Sequence, residues 1–228
     1  MASDVSICNL ALAQLGDNAG VQNINPPDGS QQADWCAQFY PIARDQLLSM
    51  HAWSFATKRV PLALKAAGTE QPDTWDYCYL VPNLALNVIS VLPPQGTTSG
   101  AVFTSFPPDQ ITGTQPLGDG NTQDFVQETL QDGTQVIFTN VQYAIARYVV
   151  SVTDTTKYTG LFVPALARLL ASYLAGPVLK GDTGIKVGGA HYKAFAQFDL
   201  PWATTMDQKG QKQNAYKEFI PDGLQARS

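Results

Sequence analysis

Residues 33–59 read ADWCAQFYPIARDQLLSMHAWSFATKR and form one long amphipathic stretch. Apolar residues recur there at three- and four-residue steps, the spacing that places side chains along one face of an α-helix. Trp53 and Phe55 follow, and two large aromatic side chains favour a helix that turns back into a core. The stretch therefore predicts a long helix that ends at Lys58 and Arg59. The predicted apolar face comprises Cys36, Phe39, Tyr40, Ala43, Leu47 and Met50.

Proline and capping residues suggest where the N-terminal helices begin and break. Ser3 is a favourable cap for a helix over residues 4–15, and Gly16 is a typical helix end. Pro41 predicts a kink or a restart of the second helix, because an internal proline removes a backbone hydrogen bond and clashes with the preceding turn. Residues 60–67 are predicted to continue as a short helix.

The middle of the chain has the alternating pattern of β-strands. The pair Asp132-Gly133 separates two β-prone runs, which is a strong signal for a hairpin. Residues 93–123 are rich in Gly and Pro and predict a long loop or a short hairpin arm. The predicted strands cover residues 75–81, 84–92, 125–130, 135–139 and 144–152.

The C-terminal third returns to helical spacing. A broad apolar face after residue 160 predicts a buried helix that ends at Gly176-Pro177, followed by a Gly-rich turn over residues 180–189. Residues 190–206 predict a last helix, and the polar segment 207–228 predicts an extended tail. The last helix carries one stripe made of His191, Phe195, Phe198, Trp202 and Met206.

The order of these elements predicts an α+β fold. Two N-terminal and two C-terminal helices form a helical bundle from residues 1–68 and 154–206. A β-rich antiparallel section, residues 69–153, is inserted between them.

Charge is unevenly distributed along the chain. The net charge is −5, yet no Lys or Arg occurs between Lys65 and Arg147. Phosphate contacts need basic side chains, so this acidic middle argues against tight nucleic-acid binding through that section. The acids of this interval are Glu70, Asp73, Asp76, Asp109, Asp119, Asp124, Glu128 and Asp132.

Cysteine usage and the N-terminus indicate a cytosolic chain. Cys8, Cys36 and Cys78 are widely spaced and odd in number, which favours three buried thiols over disulfides or a zinc site. The first residues lack the basic start of a signal peptide. The most apolar run, residues 161–179, contains Arg168 and two prolines and predicts a buried helix rather than a membrane span.

The sequence contains no complete catalytic or cofactor-binding motif, so we expect no enzyme activity and no cofactor. His51 and His191 sit in amphipathic patterns that favour packing roles. Residues 181–184 read GDTG, but a loop is the better interpretation than an aspartic-protease motif. Residues 119–124 offer oxygen donors without the ligand spacing of a calcium loop.

Four blocks of the chain resemble a known family. Residues 39–59 (FYPIARDQLLSMHAWSFATKR) resemble a segment of phage head-to-tail adaptors of the tail tubular protein A family. Residues 3–16 (SDVSICNLALAQLG), 73–91 (DTWDYCYLVPNLALNVISV) and the segment 136–178 are similar to further blocks of that family, in the same order. The matching residues of the first block are Phe39, Tyr40, Ala43, Arg44, Asp45, Leu47, Leu48, His51, Trp53, Phe55, Ala56 and Arg59.

The resemblance implies a structural protein of the virion without catalysis. Such adaptors form a ring, typically a dodecamer, between the portal and the tail nozzle, and they extend the channel for double-stranded DNA. The expected partners are therefore further copies of the chain, the portal protein and the nozzle protein, with DNA passing through without specific binding and no membrane. The chain would be made in the host cytoplasm. The alternatives are a cytosolic binding module and a small enzyme without a recognisable site.

Two sets of residues are candidates for contacts within such an assembly. Phe219 and Ile220 are apolar anchors in a polar tail, and Arg227 can pair with a carboxylate, so these three are candidate portal contacts. The acids of the middle section either line the channel or nozzle face, as a collar that repels DNA phosphates, or keep a β section soluble on the outside. The candidate acids are Asp119, Asp124, Glu128 and Asp132.

Overall fold

The computed structural model describes residues 2–66, 68–94 and 122–210. These residues form helices and two antiparallel three-stranded sheets, which confirms the predicted α+β fold with an inserted β section. The helices are α1 (Asp4–Gln14), α2 (Gln31–Ser49), α3 (Phe162–Leu179), α4 (Gly181–Ala194) and α5 (Leu200–Gly210). The strands are β1 (Thr57–Pro61), β2 (Tyr77–Leu80), β3 (Ala85–Leu92), β4 (Phe125–Thr129), β5 (Gln135–Thr139) and β6 (Ile145–Val150).

Helix α3 is the centre of the helical part. It packs against α1, α2 and α4, and this explains why its sequence is apolar over most of its surface. By length and composition α3 could cross a membrane, but half of it is buried inside the fold, as expected for a core helix. Cys8, Cys36 and Cys78 are free and buried, in agreement with the prediction.

The second helix ends ten residues earlier than predicted, at Ser49 rather than at Arg59. Trp53 is fully buried, and its indole nitrogen donates a hydrogen bond to the carbonyl of Leu47 at 2.9 Å. The chain thus folds back under the end of α2. The Trp53 ring packs edge-on against Phe162 at the start of α3. This tertiary contact, rather than local helix propensity, ends the helix.

Further expectations about this region were wrong. Lys58 and Arg59 lie on strand β1 rather than at a helix end, and residues 60–66, the described part of the predicted short helix, are not helical. The β section therefore begins at Thr57 rather than at residue 69, because β1 pairs with β6. Pro41 does not restart the helix, since α2 runs through it, and it lies on the exposed side, where solvent can reach the carbonyl left without its hydrogen bond.

The strands pair as β1-β6-β3 in one sheet and β2-β5-β4 in the other. Strands β4 and β5 form the hairpin predicted at Asp132-Gly133, and Gly133 adopts a φ of 79° that favours glycine. Tyr148 and Ile137, one from each sheet, belong to the same hydrophobic core as buried residues of α1, α2, α3 and α5. The helical part and the β section thus share one core.

The region after α3 differs most from the sequence prediction. Helix α3 continues through Pro177, and the predicted Gly-rich turn over residues 180–189 is helix α4. The glycines serve close helix packing: a Cβ at Gly184 would lie 2.7 Å from the carbonyl oxygen of Ala175, and one at Gly188 would lie 2.9 Å from that of Ser172. The reversal itself takes place at Lys180 and Gly181.

A π-helical segment, Phe195–Asp199, joins α4 to α5 without a break. It lies directly before Pro201, which lacks an N–H donor and so favours a local change in the hydrogen-bond pattern. Helix α5 runs to Gly210, so residues 207–210 of the predicted extended tail are helical.

Candidate interaction surface

The π segment and helix α5 together present an apolar face to solvent. Phe198, Trp202 and Met206 have exposed fractions of 68%, 64% and 46%. They are four residues apart, so they lie one above the other on one side of the helix. We call these three residues the α5 stripe. Large contiguous apolar surfaces of this kind mark sites where another protein binds.

The predicted stripe of the last helix is divided by the π segment. Phe195 is buried, whereas the residues that follow it in the predicted stripe face outward. A π turn holds more residues than an α turn, so it rotates the downstream helix relative to the upstream one. This rotation brings Ala203 and Asp207 to the core side and turns the α5 stripe away from it.

Asp207 fixes the end of α5 against the turn that follows α2. Its carboxylate accepts hydrogen bonds from the backbone nitrogen of Ser54 at 3.0 Å and from the Ser54 hydroxyl at 2.6 Å. His51 Nε2 lies 3.4 Å from the same carboxylate. The Asp207 side chain is almost fully buried, so these contacts hold α5 in one rotational position.

An ionic contact supports the π segment from α3. Arg168 pairs with Asp199, and burial raises the pKa of the Asp199 carboxyl against the opposing effect of the arginine. Burial and the charge of Arg168 together lower the pKa of His191. The pair of Arg168 and Asp199 therefore anchors the π segment to α3. On the other side of the segment, Phe198 is exposed to solvent.

The structure describes three of the four candidate acids of the β section. Asp124 and Glu128 are exposed: Asp124 directly precedes the edge strand β4, and Glu128 is its penultimate residue. Asp132 lies in the hairpin turn and forms a salt bridge with Lys65 Nζ at 2.6 Å. The charge of Asp132 is thus compensated by a lysine. The sequence did not reveal this contact, because Lys65 lies outside the interval that lacks Lys and Arg.

The remaining candidates lie outside the described residues. These are Asp119 in the acidic set and the three candidate portal contacts Phe219, Ile220 and Arg227. The loop prediction for residues 93–123 also falls mostly outside, since residues 95–121 are not described.

In the described part of the chain, a serine, a histidine and an aspartate lie together at the turn after α2, but without the geometry of a hydrolase. Ser54, His51 and Asp207 are neighbours, but the serine hydroxyl donates to the aspartate rather than to the histidine. A nucleophile needs a base within hydrogen-bond reach, and here the serine proton is directed to a buried carboxylate. The cluster is a structural clasp between α2 and α5.

A surface cleft of about 360 Å³ lies between the β2–β3 turn and the start of β5. Its walls contain apolar, amide and hydroxyl side chains and no titratable group. Across residues 2–66, 68–94 and 122–210, no group of three or more His, Cys, Asp or Glu is arranged to hold a metal ion.

The sequence indicated the members of the α5 stripe but not their exposure. Their four-residue spacing is equally compatible with a buried and an exposed face. Pro201 was the available signal, because a proline inside the last helix predicts a local change of helical geometry upstream. For Asp207 no sequence signal existed, since it stands at the start of a polar run.

Residues from the block that resembles the adaptor family have structural roles here. Arg44 pairs with Asp45 at 2.9 Å, and Asp45 accepts a hydrogen bond from Ser151 beyond the end of β6. No protein-family model matches the chain, and comparison with curated proteins finds no match either.

Proposed function

We propose that this chain is a head-to-tail adaptor of a phage virion, which forms a ring between the portal and the tail nozzle and extends the DNA channel. The α5 stripe is the observation that carries the proposal. A folded chain that leaves a tryptophan and a phenylalanine mostly exposed on one helix face has a surface suited to a protein partner. The resemblance of four sequence blocks to the adaptor family supports this choice of partner.

In this assembly the α5 stripe packs against a neighbouring copy or against the portal. Aromatic residues dominate the buried centres of protein interfaces, because they bury a large apolar area with few rotatable bonds. The role is structural, with no catalysis and no cofactor. DNA passes through the ring without sequence-specific contacts, and the finished protein resides in the virion.

The test is assembly of the chain with its cognate portal protein, followed by light scattering and negative-stain microscopy. Trp202→Glu places a carboxylate in the centre of the α5 stripe and is expected to weaken assembly by more than about tenfold, as for loss of an interface hot spot. Gln208→Glu adds the same charge to an exposed position of α5 outside the stripe and is the matched control.

Assembly of Trp202→Glu at the wild-type concentration would contradict the role of the stripe. If the folded and soluble wild-type protein formed no ring with the portal, the adaptor function itself would be contradicted.

A further inference from the structure

The turn between β2 and β3 holds an exposed leucine in a strained conformation. Leu84 has a φ of 63°, in the left-handed region that residues other than glycine rarely adopt. Its side chain is 74% exposed, although a leucine stabilises a fold mainly through burial. Strained positions of this kind cluster at binding sites, where the contact made by the residue offsets the strain. Leu84 therefore indicates a contact surface.

Leu84 forms part of the cleft of about 360 Å³ between the β2–β3 turn and the start of β5, which we call the β2–β3 cleft. Leu80 and Pro82 contribute further apolar wall. Two backbone hydrogen bonds fix the shape of the turn: the Ala85 nitrogen donates to the Pro82 carbonyl at 3.2 Å, and the Ser151 nitrogen donates to the Leu84 carbonyl at 3.3 Å. Sites for small molecules begin at about 300 Å³, so this preformed cleft has room for one large side chain.

The α5 stripe has the complementary shape. Its three large side chains stand out from a helix as a ridge, whereas the β2–β3 cleft is concave and partly apolar. When a ridge and a cleft on the same chain fit each other, one copy joins the next head to tail, and such contacts close into rings where the rotation between copies allows it.

The charges around these two surfaces are of opposite sign. In residues 68–94 and 122–146, every charged residue is acidic. Glu70, one of these acids, accepts a hydrogen bond from the Gln131 backbone nitrogen at 2.8 Å, in the hairpin turn that leads to the cleft. This complementarity favours contact between α5 and the β section of another copy over contact between two α5 helices. The exposed charged residues of α4 and α5 are Asp182, Lys186, Lys193 and Lys209.

We propose that the α5 stripe of one copy docks in the β2–β3 cleft of a second copy, with Trp202 and Leu84 at the centre of the contact. The proposal rests on the proposed function, in that it names the partner of the α5 stripe within the ring. The two copies use different surfaces, so each copy in the contact keeps either a cleft or a stripe for a further copy.

The contact is small. Three partly exposed side chains of this size supply roughly half of the about 800 Å² per partner that a stable interface buries. We therefore expect weak, concentration-dependent association of the free chain. The portal strengthens this association by holding several copies side by side, which raises their effective concentration.

The test is sedimentation equilibrium of the full chain without the portal. The wild type should associate as its concentration rises. Trp202→Glu disrupts the stripe and Leu84→Glu disrupts the cleft, and each alone should weaken association by more than about tenfold. Mixed in equal amounts, the two variants should form a one-to-one dimer, because one retains an intact cleft and the other an intact stripe.

Tyr143→Glu is the matched control for the cleft variant. Tyr143 also has a positive φ and a side chain that is 72% exposed, but it does not line the cleft. Gln208→Glu is the control for the stripe variant. Leu84→Asn tests the cleft without adding a charge: asparagine tolerates the left-handed conformation, so this variant should keep the wild-type melting temperature and still lose association.

The proposal is overturned if the wild type stays monomeric up to about 1 mM, if the mixed variants form no dimer, or if Leu84→Asn associates like the wild type. An equal loss of association in Tyr143→Glu and Leu84→Glu also overturns it. A one-to-one dimer of the mixed variants, together with no ring of the wild type on the portal, supports this contact and contradicts the adaptor function alone. A ring on the portal that Leu84→Asn leaves unchanged contradicts this contact alone.

Discussion

At the residue scale, a few buried polar contacts hold distant parts of the chain together. Ser54 and Asp207 are 153 positions apart, yet they form three hydrogen bonds. Hydrogen bonds to a buried carboxylate are stronger than those between neutral groups, and their loss leaves donors without partners. The position of the α5 stripe therefore depends on one side chain outside the stripe.

Replacing Asp207 with asparagine should destabilise the fold by about 1–3 kcal/mol, because the amide group turns one acceptor into a donor that faces the Ser54 donors. The measurement is the free energy of unfolding from urea denaturation. Asp73→Asn, at an exposed loop position, is the control and should change stability by less than about 0.5 kcal/mol. Equal stability of the two variants would show that the clasp does not hold α5.

Asp132 gives the fold a defined response to acid. Hydrogen bonds from Lys65 and Thr134 lower the pKa of Asp132 from 3.8 to about 2. Because the folded state has the lower pKa, the contribution of this pair to stability is complete above pH 3.8 and is lost as the pH falls toward 2.

A carboxyl titration by NMR tests the cause of this shift. Lys65→Met should raise the pKa of Asp132 toward 3.8, because it removes the largest single contribution. Lys58→Met, on β1, should leave the Asp132 titration unchanged. If the pKa of Asp132 stayed near 2 in Lys65→Met, Thr134 rather than the lysine would be its principal partner.

At the scale of elements, glycine positions determine how closely α3 and α4 approach. Gly184 and Gly188 face the backbone of α3, whereas a Cβ at Gly189 on the same helix would meet nothing within 4 Å. Three glycines of similar local sequence therefore have different roles, which depend only on the side of the helix they occupy.

Alanine substitution separates these roles. Gly184→Ala should destabilise the fold by about 1–3 kcal/mol, since its Cβ would lie 2.7 Å from a backbone oxygen and the helices would have to separate. Gly189→Ala should instead stabilise it by about 0.5–1 kcal/mol through helix propensity. Thermal and urea unfolding measure both, and effects of the same sign would contradict the close packing described here.

At the scale of the whole molecule, two surfaces of different character stand out. The α5 stripe is apolar, and the edge strand β4 carries exposed acids. In the proposed ring, the first surface suits a protein contact and the second suits a wall past which DNA slides, because carboxylates repel phosphates.

Reversing the charges of Asp124 and Glu128 to lysine tests the second surface. If these acids face the channel, particles should assemble normally but release DNA slowly at low salt, and added salt should restore the rate by screening. Asp132 is left unchanged, because its salt bridge with Lys65 supports the hairpin. Genome release from assembled particles is the measurement.

The control for this experiment places lysine at Gln127 and Thr129, which alternate with Glu128 on the same strand and project from its other face. Normal release in the charge-reversed particles at every salt concentration would place Asp124 and Glu128 away from the DNA path.

Local sequence was sufficient for most elements of this fold. Ser3 caps α1 as predicted, and the Asp132-Gly133 hairpin and strands β2 to β6 lie within a few residues of their predicted positions. The helix cap and the hairpin depend on hydrogen bonds between residues close in sequence, and the strands show an alternating apolar pattern, so composition and spacing are enough to indicate them.

Contacts between distant residues decided the rest. Burial of Trp53 ends α2, packing against α3 makes a helix of residues predicted as a Gly-rich turn, and the π segment turns the α5 stripe outward. Arg59, Arg147 and Ser90 likewise stand opposite one another only because β1 and β3 pair with β6. Periodicity shows that a helix or strand has a particular face, but whether that face meets the core or solvent depends on neighbours that only the folded chain supplies.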